Sequence, residues 1–332
     1  MLSETVLKTN ISVGTQWLPN ISNITHYLKS EDSMFVPASH CISWFAVLGT
    51  VCLATVILNI IIIIIFAKQR RLQRKSTYLI IHLAIVDLLV GAVTGPLWIE
   101  LFGTLYCDLW EYNLPNSIWL SALEDATGYS IDKVSLLNLA FIALERTHAT
   151  FFPFKHRSVK KWVYGVVIIF SWLVPAVMIF TMHGLTIFNH VGLKISLVIS
   201  LYISILLLLI FACYVSIYVK VRGDRFAQLH GAAGLRERKL TSTMFLVTFG
   251  SLLTFLPLAI FWGVVAFDFN LFISLPIDYA FHIHMAVVTF YVFNSLINPT
   301  IYAVRMPQLR AGILQIIFRR TPCHPHRVNT PL

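Results

Sequence analysis

Asp87 is a lone carboxylate inside the run Leu83-Ala84-Ile85-Val86-Asp87-Leu88-Leu89. A charge set among such residues must be neutralised by a proton, a cation or hydrogen bonds. At the helical rise of about 1.5 Å per residue it lies roughly 16 Å from the polar edge at Ser76. Counting back from Arg146, Lys68 and Arg305 brings Ser135, Asn59, Asn294 and Asn298 to similar depths. Five polar groups from four apolar runs therefore share one layer. One reading is a hydrogen-bonded network that pins helices together. The other is a site for a small hard cation, because one carboxylate with hydroxyl and amide oxygens suits a monovalent or small divalent ion.

Two further constellations carry charge. Asp125, Gly128, Tyr129 and Asp132 recur at i, i+3, i+4 and i+7, so one helix face holds two acids, a phenol and a gap. With Glu100 and Glu124 nearby in height, this face reads as an acidic funnel for a cationic ligand whose charge ends on Asp132. The alternative has the upper acids solvated and Asp132 paired internally, with Lys133 pointing about 100° away. At the opposite edge, Glu145-Arg146 is followed by Pro153-Phe154 in a basic loop, and Glu237 stands in Arg236-Glu237-Arg238-Lys239. Arg146 is either a snorkelling anchor or half of an ion pair that a partner protein can displace. Pro96, Pro175, Pro257 and Pro299 each interrupt an apolar run and so supply hinges. The outer histidines His40, His183, His190, His282 and His284 read as scattered loop residues, and no metal site is expected beyond the small cation at Asp87.

The elements that must position these residues are membrane helices. The chain has 332 residues, 57% hydrophobic and only 12% charged, with mean hydropathy +0.76, which excludes a soluble enzyme, a coiled coil and a disordered chain. The apolar runs are continuous, not alternating, so the spans are helices and not barrel strands. Seven are expected, at 41–67, 76–101, 117–148, 161–182, 193–219, 240–268 and 279–304, numbered helix 1 to helix 7. The fold class is all-α. Segments 68–75, 146–161, 220–239 and the stretch after 304 hold 21 of the 25 Lys and Arg residues, which places these loops and the C-terminus inside and the N-terminus outside. Basic charge is thereby explained by topology, and no nucleic-acid partner is implied. Residues 1–40 form an outer tail with glycosylation acceptors at Asn10, Asn20 and Asn23; residues 41–304 form the bundle; residues 305–332 form an inner tail that starts as a short amphipathic helix lying on membrane lipid. Cys41 and Cys107 at the outer edge are disulfide candidates, free thiols being the alternative. Cys323 is a candidate for palmitoylation, an unmodified thiol being the alternative.

Taken in order, these motifs resemble the rhodopsin-like (class A) G-protein-coupled receptors over roughly residues 41–320. The resemblance rests on Asn59, on Leu83-Ala84-Ile85-Val86-Asp87, on Glu145-Arg146-Thr147 where the family has Asp-Arg-Tyr, on Trp172 and Tyr214, and on Asn298-Pro299-Thr300-Ile301-Tyr302. It implies a multi-pass plasma-membrane receptor, not an enzyme, that couples an extracellular ligand to a heterotrimeric G protein. Asp87, Ser135, Asn294 and Asn298 would form a sodium pocket, and Arg146 with Glu237 an ionic lock. Pro257, Pro299, Tyr214 and Tyr302 would belong to the switch, and Pro153 and Phe154 would meet the G protein. The chain departs from the pattern at several positions. Ser121 replaces the cysteine at the top of helix 3, Leu206 a helix 5 proline, and Phe255 a helix 6 tryptophan at the base of the ligand pocket. Gly128 stands where amine receptors carry an aspartate. These features look more like the melanocortin, lysophospholipid and cannabinoid branches. A cationic peptide or amine is the expected ligand and a lysolipid the runner-up. An ion-coupled transporter or channel using Asp87, Asp132 and Lys133 is the alternative from another class.

Overall fold

The computed structural model describes residues 35–68, 77–110, 118–189, 195–223, 232–268 and 274–305, with positions 271, 310 and 312. Side chains are described over the same residues apart from 118–129, 182–189, 195, 221–223, 232–248 and 305. The three glycosylation acceptors, Cys323 and the tail after helix 7 lie outside the described residues.

Each expected span is a helix: helix 1 is Ala38–Lys68, helix 2 Thr77–Leu105, helix 3 Ile118–Phe151, helix 4 Lys161–Asn189, helix 5 Ile195–Gly223, helix 6 Ala232–Phe267 and helix 7 Ile277–Arg305. Among the described residues, all of these except helix 3 are long and apolar enough to cross a membrane on their own composition. Helix 3 carries Asp132, Lys133, Glu145 and Arg146 and sits where the others shield it: it packs on helices 2, 4 and 5 and touches helix 6. Helix 7 fills the gap between helices 6 and 1. The helices overrun the expected edges, most clearly at helix 6, which starts at Ala232 and not at 240. Arg236, Glu237 and Lys239 are good helix formers, so the helical conformation continues beyond the apolar run.

The exposed surface is apolar where lipid would meet it. Ile169, Phe180, Leu208 and Phe211 project outward from helices 4 and 5, Phe180 with 80% of its surface bare. Such a surface is untenable in water and ordinary in a bilayer.

Helix 2 is not uniform. Val90–Thr94 form a π-helical turn immediately before Gly95 and Pro96. Gly91 within that turn and Gly95 just beyond it let helix 1 approach. A Cβ on Gly91 would stand 2.8 Å from the Cys52 carbonyl oxygen, and one on Gly95 only 2.1 Å from the Cys52 Sγ. Small residues at such crossings substitute close van der Waals packing for the hydrophobic drive that lipid cannot supply. At the outer edge, Cys41 of helix 1 and Cys107 just beyond helix 2 are joined by a disulfide, and the Val36 amide donates to the Tyr106 carbonyl at 3.0 Å. The chain then turns at Asp108, whose φ of 47° is a left-handed conformation that Asp tolerates better than most. That turn lays Trp110 against Gly103, with its indole N–H donating to the Glu100 carbonyl at 3.1 Å.

Candidate functional site

The mid-membrane layer assembles around Asp87, which is fully buried. Its Oδ1 accepts from the Ser135 hydroxyl at 3.2 Å and the Ser295 hydroxyl at 2.8 Å, and its Oδ2 accepts from Asn298 Nδ2 at 2.8 Å. Asn59 of helix 1 donates to the Ser295 carbonyl at 3.2 Å and to the Thr55 carbonyl of its own helix at 3.0 Å. Helices 2, 3 and 7 thus meet through one carboxylate, and helix 1 joins them through the Ser295 backbone carbonyl. Asn294, expected to join Asp87, makes no hydrogen bond to it among the described residues; its Oδ1 accepts from Thr254 of helix 6 at 3.2 Å. Ser295 takes its place, three residues before Asn298 and hence on the same helical face. That i, i+3 spacing was the signal available in the sequence.

The donor set fits a small hard cation. Asp87 offers a carboxylate, Ser135 and Ser295 offer hydroxyl oxygens, and Asn298 Oδ1 is buried with no hydrogen-bond partner among the described residues. Among the described residues no cluster of three His, Cys, Asp or Glu residues points to a transition metal.

A second polar tie joins helices 2, 3 and 4 and was not foreseen. The Trp172 indole donates to His82 Nε2 at 2.8 Å, which places the proton of a neutral His82 on Nδ1. Asn138 of helix 3 donates to the Leu79 carbonyl at 3.1 Å.

At the inner end, Arg146 Nε lies 2.6 Å from Glu145 Oε2, an ion pair by proximity without a well-aimed N–H. Glu145 Oε1 meets His156 Nε2 at 2.8 Å. His156 belongs to a short inner-loop helix, Pro153–Ser158, that begins on Pro153 and leaves Phe154 85% exposed. Glu237 is on helix 6, but its side chain lies outside the described ones, so the partner of Arg146 seen here is its sequence neighbour. Tyr214 and Tyr302 are buried beneath the Asp87 layer, and the Tyr302 hydroxyl has no hydrogen-bond partner among the described residues. Pro299 is buried and Pro257 half-buried, each inside a continuous helix.

Toward the outer side, Lys133 Nζ meets both oxygens of Asp132, at 3.1 and 3.2 Å. The expectation that Lys133 points away is therefore wrong. Its four-carbon stem curls back across the turn, because neither charge is tolerated bare in the bundle. Lys133 is 2% exposed and Asp132 12%. The Lys133 carbonyl accepts from Tyr202 of helix 5 at 3.0 Å. Phe255 is buried with its ring 6.1 Å from that of Tyr291. Glu100 is exposed, and the side chains of Asp125, Gly128 and Tyr129 lie outside the described ones. His282 and His284 are not loop residues, since both lie on helix 7. The Trp44 indole donates to His282 Nδ1 at 2.8 Å, tying helix 1 to helix 7. The His284 ring packs 4.7 Å from Phe102 and 4.8 Å from Phe261.

A seven-helix bundle with a buried carboxylate in mid-membrane and an arginine–glutamate pair at one end defines a class of membrane signal transducers. Residues 58–302 match the family model for the 7 transmembrane receptor (rhodopsin family), and the chain belongs to that family. It is thus a multi-pass plasma-membrane protein, a receptor and not an enzyme. Among its relatives is the trace amine-associated receptor 1 of Macaca mulatta, 24% identical over 342 residues that cover 90% of this chain and 93% of the relative. The human protein of the same name is 23% identical over the same extent. The muscarinic acetylcholine receptor M3 of Rattus norvegicus is 28% identical over 167 residues, 48% of this chain and 27% of the relative.

Proposed function

We propose that this receptor couples an extracellular amine or basic peptide to a heterotrimeric G protein on the side of the membrane where Arg146 and Phe154 lie. The observation that carries the ligand class is Asp132, an acid within the bundle whose two carboxylate oxygens both meet a displaceable ammonium, Lys133 Nζ. An incoming cation offers the same chemistry and competes for the same oxygens. The names of the relatives, trace amine and muscarinic acetylcholine receptors, favour an amine, although Gly128 leaves the usual anchoring position empty and shifts the burden to Asp132, seven residues below Asp125.

The switch reading follows from the two polar layers. Sodium at Asp87, Ser135, Ser295 and Asn298 would favour whichever bundle geometry keeps those oxygens together, acting only through its differential affinity for the two states. Arg146, held by Glu145 and by Glu237 when helix 6 is close, would be released when the inner ends separate. The Arg146–Glu145 pair is about nine-tenths buried, so the cost of desolvating it offsets much of its attraction and leaves a net bias that a ligand can overcome.

The test is a G-protein activation screen of cells expressing the chain against amines, basic peptides and lysolipids. With the agonist found, Asp132→Asn and Asp125→Asn are compared with the parent at matched surface expression. A cationic agonist loses about 10- to 150-fold in potency on losing its partner, or ~1.5–3 kcal/mol. Because Asp132→Asn takes the carboxylate away from a buried ammonium, the double variant Asp132→Asn/Lys133→Gln is measured beside it. Potency unchanged in all three refutes the cationic ligand and leaves a lipid or neutral one.

A further inference from the structure

We infer that the ligand of this receptor is a zwitterion, a free amino acid that places its ammonium group on Asp132 and its carboxylate on Lys133. The inference rests on the reading that Asp132 receives the cationic group of the ligand. Asp132 and Lys133 are 12% and 2% exposed, and Lys133 Nζ meets the two carboxylate oxygens at 3.1 and 3.2 Å. A plain amine that took those oxygens would take the carboxylate away from a buried ammonium. The cost of a buried charge that loses its partner opposes the exchange.

A carboxylate on the same molecule removes that opposition. Lys133 gains a new anion as the old one is taken, so one buried ion pair becomes two and no charge is left over. Net charge decides in the same direction. Asp132 and Lys133 together are neutral, and so is the amino acid, whereas an amine would add a positive charge at a level where charge is costly.

The side chains suit such an exchange. Lys133 projects about 100° around helix 3 from Asp132 and reaches it only because its four-carbon stem curls back. Once released, the stem can straighten along its own direction and open a gap for the ligand's two charged ends, each about 2.8 Å from its partner. The backbone beneath is held from helix 5, where the Tyr202 hydroxyl donates to the Lys133 carbonyl at 3.0 Å. Because the two charges come from successive residues, those of the ligand must lie a few bonds apart, as on one α-carbon, and not at the two ends of a peptide. The resting ion pair is an internal copy of the charges it awaits.

The experiment measures G-protein activation in cells expressing the full chain, at matched surface expression and up to millimolar ligand. The probes are each standard amino acid and the amine left by its decarboxylation, such as tyrosine with tyramine, tryptophan with tryptamine and arginine with agmatine. In the pair that activates the parent, the amino acid is expected to be about ten- to hundredfold the more potent, and its methyl ester, which keeps the ammonium and loses the carboxylate charge, to fall with the amine. Lys133→Gln removes the carboxylate's partner and the resting competitor together, so the order within the pair should reverse, whereas Lys133→Arg should preserve it. Asp132→Asn/Lys133→Gln leaves neither charge of the pair to be stranded, which guards against misfolding of a single variant, and should bring both probes to equal and lower potency. An amine at least as potent as its amino acid on the parent, and weakened by Asp132→Asn, overturns the zwitterion while leaving the cationic reading intact. A parent that answers none of the amino acids overturns it as well. A preference for the amino acid that survives Lys133→Gln overturns the role of Lys133, and an agonist indifferent to Asp132→Asn refutes the underlying reading instead.

Discussion

Asp87 can be altered in two ways that differ only in what is left for its donors. Asp87→Ala strips the acceptor from Ser135, Ser295 and Asn298 together. Inside a membrane each such bond is worth about 0.6 kcal/mol on average and up to ~1.7 kcal/mol, so the loss is about 2–5 kcal/mol, before any cavity cost. Asp87→Asn keeps one oxygen for the two serines and turns the other position into an N–H₂ facing Asn298 Nδ2. Asn298 can answer by rotating its amide, because its Oδ1 has no partner to lose. The net cost is then under about 1 kcal/mol, and the desolvated charge is gone. Unfolding in detergent can be followed with a thiol-reactive fluorophore, since Cys52 and Cys213 are free and buried and become reactive as the bundle opens. With N-methylglucamine as the only cation, Asp87→Ala should unfold well below the parent and Asp87→Asn close to it. Equal destabilisation by both would show that the charge, not the hydrogen-bond geometry, holds the layer, and would refute this reasoning. Replacing N-methylglucamine by sodium at ten times its dissociation constant should stabilise the parent by about 1.4 kcal/mol and leave Asp87→Asn unmoved; a sodium response that survives in Asp87→Asn rules the site out.

Glu145→Gln should raise ligand-independent nucleotide exchange by weakening the hold on Arg146, whereas Arg146→Ala should abolish coupling; unchanged basal exchange at equal surface expression would count against the pair as a restraint. Cys41→Ser, Cys107→Ser and the double variant should lose the same stability, below the ~4 kcal/mol of the chain-entropy limit for a loop of this size because the helices stay inserted, and additive losses would show the two thiols to be unpaired. Gly91→Ala, which presses on the Cys52 backbone, should cost about 1–3 kcal/mol, while Gly49→Ala and Gly165→Ala, with nothing within 4 Å of the new methyl, serve as controls that should not destabilise.

Helix number and the apolar middle of each span were readable from the sequence because the bilayer imposes a length of apolar residues that little else in a chain imitates, whereas helix ends were not, as the start of helix 6 at Ala232 shows. The depth of Asp87, Ser135 and Asn298 was readable for the same reason, since rise along a helix fixes height. Azimuth was not. Depth alone could not separate Asn294 from Ser295, which are adjacent in sequence but about 100° apart around helix 7; only packing turns one toward helix 6 and the other toward Asp87. Lys133 defeated the same reasoning from the opposite side: its backbone does point away from Asp132, and a long flexible stem overrides that direction. His82 gave no signal because its partner, Trp172, lies on another helix, and their mutual placement is a tertiary fact. Phe154 and Arg146 were legible as a pair at one face, but the contact between Glu145 and His156 depends on how the inner-loop helix folds back.

The π-helical turn at Val90–Thr94 has a genetic corollary. It accommodates one residue more than an α-helical turn would, so everything from Gly95 outward is rotated by about 100° relative to a regular continuation of the inner half. That rotation aims Trp98 and Phe102 at His284 while Asp87 keeps its own aim toward Ser295 and Asn298. A single-codon deletion within 90–94 would restore regular winding, leave the inner half in register and swing the outer aromatic face off helix 7. Helix 2 is thus two segments with separate phases, and its extracellular half can be re-aimed by insertion or deletion without a change to the residues that surround Asp87.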